Sequence, residues 1–287
     1  YPEARYSLCG TTALLPESIG KMIKHYKVPI ATLICHGHHV NSPFYDTSCE
    51  RGIDHDEADY YLLFTKDDIE KMSVDEINQK LVENFYYDDY EWQKENKIKI
   101  DYPNRCDGLE KVLYKCPNCQ TEFEMKFKGN KLYCDHCHKE WEMDEYGLLH
   151  QDNGEARFPL VSDWYRWQRE EVYNEVNSNK FVFEDEVVVK HFINCKVGLK
   201  TLGKATFRQD DNGIHVEGIM DNGEKFEMHK SPESTTSLHV EFDYRKQGAA
   251  IDFNTVTDTW FLFPVNKSKS IIKLNFSTEA LYDKHYK

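Results

Sequence analysis

The spacing of hydrophobic and polar positions changes along the chain, and each spacing predicts a different element. After a loop punctuated by Pro and Gly, Glu17 to Tyr26 reads as a short helix. The apolar run Val28, Pro29, Ile30, Ala31, Thr32, Leu33, Ile34 follows, strand-sized and β-branched. Such a run suits a strand covered on both faces within an α/β sheet. From Thr65 to about Lys97 the spacing becomes helical: Ile77, Leu81, Val82 and Phe85 recur at helical intervals, and Ser73 and Glu76 stand as a capping box. Its charged residues read as the solvated face of a connecting arm. Asp107 to Leu113 offers another short helix. Pro159 with Ser162 or Asp163 introduces a longer one, Trp164 to about Val176, packing through Trp164, Trp167 and Val172.

From Phe181 onward the period drops to that of short strands: Val187 to Phe192, Gly203 to Arg208, Gly213 to Ile219, Phe226 to His229, Ser237 to Tyr244, Ala250 to Asn254 and Thr259 to Pro264. Asp210-Asp211-Asn212-Gly213 and Asp221-Asn222-Gly223 supply turns between them. The tail from Thr278 to Lys287 reads as helix. Seven strands followed by a helix resemble a pleckstrin-homology-like or GRAM-like barrel, with the helix closing its open end. That likeness is architectural, and architecture alone carries no function.

With 287 residues the chain is long enough for two or three modules, and 40% hydrophobic residues with 14% aromatics suffice for real cores. The formal net charge of −14 argues against a nucleic-acid partner and against general adsorption to anionic lipid. No stretch approaches the roughly 20 apolar residues that span a bilayer, and no secretory leader is visible. The expected setting is cytoplasmic, with peripheral contact at the inner membrane face, or contact with another protein, left open. Nine cysteines in two close pairs and five singles fit a reducing compartment with one metal site better than a disulfide framework.

The two pairs are Cys116-x-x-Cys119 and Cys134-x-x-Cys137, separated by 14 residues. Each pair brackets turn-forming residues, Pro117-Asn118 and Asp135-His136. Between them Phe123, Met125 and Phe127 alternate with charged residues, and Gly129-Asn130 gives a turn before Leu132 and Tyr133, so the segment can fold back as a hairpin. Folded so, the four sulfurs converge on one zinc ion and fill its tetrahedral shell, leaving no position for water or substrate. The expected zinc is therefore structural. His136 and His138 are the alternative ligands beside the second pair. Lys111 to His150 carries six Lys and Arg against seven Asp and Glu, which gives the module no basic face.

Tyr1-Pro2-Glu3-Ala4-Arg5, then Ser7 and Gly10, and 27 residues after Tyr1 the triplet Val28-Pro29-Ile30, resemble two sequence blocks of the glycerolipid acyltransferases of the 1-acyl-glycerol-3-phosphate type. The third block of that family reads approximately Phe-Pro-Glu-Gly-Thr-Arg, and the fourth centres on Val-Pro-Ile before an apolar strand. The order of modules is also similar to a bacterial subgroup in which a zinc ribbon and a β-rich tail follow the acyltransferase domain. The resemblance implies that Glu3 orders the substrate loop and that Arg5 grips the acceptor phosphate, where a guanidinium pairs bidentately. Aligned without a gap, Arg5 stands at the family's Thr and Tyr6 at its Arg. The plain alternative for Glu3 and Arg5 is a surface ion pair.

The family's chemistry lies in an earlier His-x-x-x-x-Asp block, whose His is general base on the acceptor hydroxyl. No His in this chain is followed by Asp at that spacing; His36 leads to Asn41. The cluster His36, His38 and His39 at the end of the predicted strand either lines an acceptor pocket or forms a polar loop. The expected fold is thus α+β and multidomain: a partial acyltransferase domain at 1–60, a helical connector at 61–110, a zinc ribbon at 111–150, a linker helix at 151–179 and a pleckstrin-like β domain at 180–287. The expected function is that of a C-terminal fragment of a phospholipid-synthesis acyltransferase. Its partners would be an acyl-donor thioester and a glycerophosphate-like acceptor, and it would be inactive alone for want of its base. The alternative is a non-enzymatic zinc-ribbon scaffold, and a redox role for the Cys pairs ranks behind both.

Overall fold

The computed structural model describes residues 8–13, 15–46, 51, 57–151, 155–194, 196–255, 258–266 and 271–286. Glu3, Arg5 and the rest of the first block lie outside the described residues. The chain is mixed α+β with antiparallel sheets, and seven α-helices are found among the described residues. It groups into two compact units, one of Tyr1–Leu109, Phe127–Leu132 and Glu140–Asp163, the other of Glu110–Lys126, Tyr133–Lys139 and Trp164–Lys287.

The first unit opens with α1 (Ser18–Tyr26), β1 (Ile30–His36), the four-residue α2 (His38–Asn41) and β2 (Glu57–Phe64). The apolar run does form a strand, but β1 pairs antiparallel with β2 in a two-stranded sheet, with Ile34 opposite Asp59. Thr32 is buried, whereas Leu33, Tyr60 and Leu62 are exposed. This corrects the expectation of a strand covered on both faces. A β-branched apolar run has the same signature whether or not its faces are covered, so the pattern could not tell the two apart.

The helical arm is three helices, α3 (Lys66–Lys71), α4 (Val74–Phe85) and α5 (Asp89–Asn96). Each starts at its own cap. Thr65 and Asp68 form one capping box, Ser73 and Glu76 form the predicted one, and the Asp88 side chain accepts from the N–H groups of Tyr90 and Glu91. These caps satisfy amide donors that would otherwise be orphaned, and each resets the chain to an extended conformation before the next helix. Ile77 and Leu81 join Ile23, Phe64 and Ile69 in one core cluster, with Phe85 packed against it. Val82, predicted on the same face, is exposed.

A four-stranded sheet of order β3-β4-β5-β6 is built from β3 (Met125–Lys128), β4 (Lys131–Cys134), β5 (Glu140–Met143) and β6 (Leu149–His150). The Gly129-Asn130 turn joins β3 and β4 as predicted, with Gly129 at φ 62.

In the second unit, α6 (Val161–Asn177) precedes β7 (Phe183–Asn194), β8 (Gly198–Asp210), β9 (Gly213–Met220), β10 (Lys225–Lys230), β11 (His239–Glu241), β12 (Ala250–Asn254), β13 (Thr259–Pro264) and α7 (Ile271–Tyr286). All seven predicted strands are present, in one sheet of order β10-β9-β8-β7-β13-β12-β11. Two antiparallel meanders, β7 to β10 and β11 to β13, are joined where β13 pairs with β7. Along β8 the pattern alternates strictly, with Gly203, Ala205, Phe207 and Gln209 buried and Lys204, Thr206 and Arg208 exposed. The β8–β9 turn requires its glycine: Gly213 has φ +99, and a Cβ there would lie 2.1 Å from the Lys230 carbonyl oxygen.

The terminal helix is longer than its predicted ten residues and is buried at every position from Ile271 to Leu281 except the half-buried Lys273. Its polar residues there are satisfied within the unit. Ser277 Oγ donates to Gln209 Oε1 and Gln209 Nε2 donates to Thr278 Oγ1, both at 2.8 Å. Glu279 pairs with Arg169 of α6 at 2.8 Å. A helix buried on all sides lacks the amphipathic stripe that marks a helix start, which is why its first half escaped the sequence pattern.

Candidate metal centre

Two loops of the second unit carry the four thiols, and they are built alike. In the first, Cys116 N–H donates to the Thr121 carbonyl and Gln120 N–H to the Cys116 carbonyl. In the second, Cys134 N–H donates to the Lys139 carbonyl and His138 N–H to the Cys134 carbonyl. The residue after each second cysteine is left-handed, Gln120 at φ 61 and His138 at φ 57. Each such non-Gly residue costs roughly 1 kcal/mol, a cost offset here by main-chain hydrogen bonds that turn both thiols of a pair to one side.

The sulfurs meet. Cys116 Sγ lies 3.7 Å from Cys137 Sγ, and Cys119 Sγ lies 3.8 Å from Cys134 Sγ, while all four fall within 4.8 Å of one another. A metal with bonds of about 2.3 Å to sulfur has tetrahedral edges of about 3.8 Å. None of these four is in a disulfide. The four sit close enough to bind a metal ion. Cys116 and Cys134 are buried, and Cys119 and Cys137 are half-buried.

The thiols are not electrostatically equal. Burial raises Cys116 and Cys134 above the usual thiol range. Burial acts the same way on Cys119, but hydrogen bonding with Thr121, whose Oγ1 lies 3.4 Å from the sulfur, and with His136 and Cys137 outweighs it and brings this thiol down to about 5. Cys119 is thus a thiolate at neutral pH and presents the first negative charge to an incoming cation. His136 and His138 are exposed and belong to no metal-ligating group among the described residues.

Residues beyond the cysteines hold the first loop in place. Gln168 of α6 accepts from Lys115 N–H at 2.8 Å and donates to the Val112 carbonyl at 2.9 Å. Trp164 Nε1 donates to the Lys115 carbonyl at 2.8 Å, and Lys115 Nζ reaches Glu171 at 3.0 Å. Lys273 of α7 bridges Glu122 and Glu175 at 2.8 and 3.0 Å. Trp164 was legible as a packing residue, but its indole N–H contact was not. Gln168, one helical turn further along α6 on the same face, carried the only sequence hint of this clamp.

The histidine cluster of the first unit does not form one pocket. His36 stacks on Trp92 with ring centroids 5.8 Å apart, and its Nε2 lies 3.1 Å from Asp59 Oδ2. Its other nitrogen, Nδ1, is enclosed, so the imidazole has no accessible lone pair to act as a general base. His38 is exposed. His39 as a whole is half-buried, but its ring Nε2 is enclosed, with the Tyr45 and Tyr90 rings edge-on to it. Burial, then the Arg51 and His38 charges, push this imidazole down to about 3, so it is neutral at physiological pH.

No helix among the described residues is long and apolar enough to cross a membrane. In comparisons with known proteins, the chain matches no family model and no curated protein.

Proposed function

We propose that the chain is the acceptor-side and accessory portion of a glycerolipid-acyltransferase-type protein, with Cys116, Cys119, Cys134 and Cys137 holding one structural zinc ion. The observation that carries the acyltransferase reading is the pair of blocks, Tyr1-Pro2-Glu3-Ala4-Arg5 with Ser7 and Gly10, and Val28-Pro29-Ile30 at the family's separation. Sulfur edges of 3.7 and 3.8 Å support zinc, because four thiolates in a tetrahedron are its preferred structural shell. In this reading Arg5 grips the phosphate of a glycerophosphate-like acceptor and Glu3 orders the loop. The β7–β13 sheet with α7 serves as a pleckstrin-like accessory module, in a cytoplasmic protein that works at the inner membrane face.

The chain alone transfers no acyl group, because it has no His-x-x-x-x-Asp sequence to deprotonate an acceptor hydroxyl. The test is binding of glycerol 3-phosphate to the full chain, followed by NMR, beside an acyl-transfer assay with a thioester donor. Expected are saturable shifts that Arg5→Gln abolishes, and no turnover. Absence of binding by the zinc-loaded chain rejects the acceptor role, and turnover by the chain rejects the missing base.

A second reading is favoured by one observation. β1 sits in a two-stranded antiparallel sheet with Leu33, Tyr60 and Leu62 exposed, which is not the strand covered on both faces that the apolar run predicts for an α/β domain. On this reading the chain is a zinc-ribbon binding or scaffolding protein without catalysis. Full metal occupancy with no affinity for glycerol 3-phosphate would select it.

A further inference from the structure

The β1–β2 sheet turns its apolar side outward. Cross-strand pairing sets Ala31 opposite Leu62, Leu33 opposite Tyr60 and Cys35 opposite Ala58, so these six side chains share one face, and all six are exposed. None of them is charged. The polar residues Thr32, His36, Asp59 and Tyr61 stand on the other face, which meets the rest of the unit. There Thr32 is buried, His36 stacks on Trp92 and the Tyr61 hydroxyl accepts from Asn84 Nδ2. An ordinary one-sided sheet buries its apolar face and shows its polar one to water.

The segment that leads into β1 has the same character. Met22 and Tyr26, one turn apart on α1, and Val28 after them are each more than half exposed, as are Leu33, Tyr60 and Leu62. Charge separates this region from the rest of the protein. From Ser18 to Tyr45 there is no Asp or Glu, in a chain with 50 acidic residues among 287. Lys21, Lys24 and Lys27 fall within that stretch. Lys24 Nζ donates to the carbonyls of Ile69 and Glu70 at 2.6 and 3.1 Å, whereas Lys21 and Lys27 are exposed and pair with no carboxylate among the described residues. Cations beside exposed aromatic and aliphatic side chains complement a surface that is anionic outside and apolar beneath, which is a lipid bilayer. A second copy of the chain is the poorer complement, since it brings a net charge of −14 to meet −14.

We propose that the outward face of β1–β2, with Lys21 and Lys27 ahead of it, docks on a bilayer containing anionic lipid. Leu33, Tyr60 and Leu62 enter the boundary between headgroups and acyl chains, and the two ammonium groups meet lipid phosphates. The net charge opposes adsorption elsewhere, so the contact is confined to this face and fixes which side of the first unit meets the membrane. The proposal rests on the reading of the chain as part of a protein that works at a membrane.

The test is flotation of the full zinc-loaded chain with vesicles of phosphatidylcholine alone and of phosphatidylcholine mixed with phosphatidylglycerol. Expected is saturable binding to the mixed vesicles, weakened at least about tenfold by Leu33→Ser combined with Tyr60→Ser. Lys21→Gln combined with Lys27→Gln should cost roughly tenfold and flatten the salt dependence, with zinc content unchanged. This lysine pair reads the face even if the first pair of substitutions folds poorly. No flotation with mixed vesicles, or flotation that both pairs leave unchanged, overturns the proposal. A lipid-free dimer that Leu33→Ser with Tyr60→Ser dissolves also overturns it, and assigns the face to a second copy. Vesicle binding without affinity for glycerol 3-phosphate keeps the docking face and rejects the acceptor role, while the reverse result keeps the acceptor role and rejects the face.

Discussion

Gln168 holds the backbone at Lys115: its Oε1 accepts the Lys115 N–H at 2.8 Å while its Nε2 donates to the Val112 carbonyl at 2.9 Å. Both contacts are buried, and they fix the segment one residue before Cys116, the first cysteine of the cluster. The position of Cys116 is therefore set by a helix side chain as well as by its own loop.

Replacing this amide tests that link. Gln168→Ala leaves a buried N–H and a buried C=O without partners, and the expected loss is about 1–3 kcal/mol for each unsatisfied group that water does not reach. Urea unfolding should show a lowered midpoint, with a smaller loss for Gln168→Glu, which keeps the acceptor. An unchanged midpoint for both variants shows that the first loop stands without α6.

Metal binding should release protons. A ligating thiol must be a thiolate, so acid competes with the metal and affinity falls as pH falls. At neutral pH Cys119, at about 5, is already deprotonated, whereas Cys116 and Cys134, both raised by burial, are not. Calorimetry of zinc binding in buffers of different ionisation enthalpy should therefore report at least two protons released per ion. Cys116→Ser should remove one of them and lower the affinity. Release of fewer than two contradicts the assignment of the raised thiols.

His39 makes stability depend on pH in one direction. Its folded-state value of about 3 lies below the ordinary value of 6.5, so below that ordinary value the unfolded chain takes up a proton that the native ring refuses. Its contribution is fully present above 6.5 and is lost as pH falls towards 3, by up to about 1.4 kcal/mol per pH unit. The difference in unfolding free energy between wild type and His39→Phe, measured from pH 7 to 4.5, should shrink or reverse on acidification. A difference that stays constant with pH shows that the ring is not buried in the neutral form.

Asp89 is the anchor of the turn after β1. Its carboxylate accepts from the N–H groups of Gly37, His39 and Val40 at 2.8, 2.7 and 3.2 Å, and from the Tyr87 hydroxyl. Asp89→Ala removes all of these acceptors from a buried site, at an expected cost of about 2–4 kcal/mol. Amide exchange at Gly37 and Val40 should accelerate in parallel. Unaltered exchange at those amides would show that the turn is held by other contacts.

The alternating part of β8 from Gly203 onward was legible because a period of two with Asp-Asn-Gly turns has no competing interpretation, and the cysteine pairs because their spacing is duplicated, whereas Gly198 to Leu202 does not alternate and was missed. The capping box at Ser73 was read correctly, yet Thr65 with Asp68 and the cap at Asp88 passed unnoticed, and with them the division of one arm into three helices. β1 was found as a strand and assigned the wrong surroundings, since burial is a tertiary property that its residues do not encode.

The mirrored loops around the four thiols carry a liability under oxidising conditions. Each half is shaped by its own peptide hydrogen bonds, so the thiols remain close neighbours when the ion is stripped, and the 3.7 and 3.8 Å contacts both join one half to the other. Peroxide acting on chelated protein should therefore rivet the halves together as Cys116–Cys137 and Cys119–Cys134, visible by peptide mapping. A chain sealed in that way could no longer be reloaded until a reductant released it.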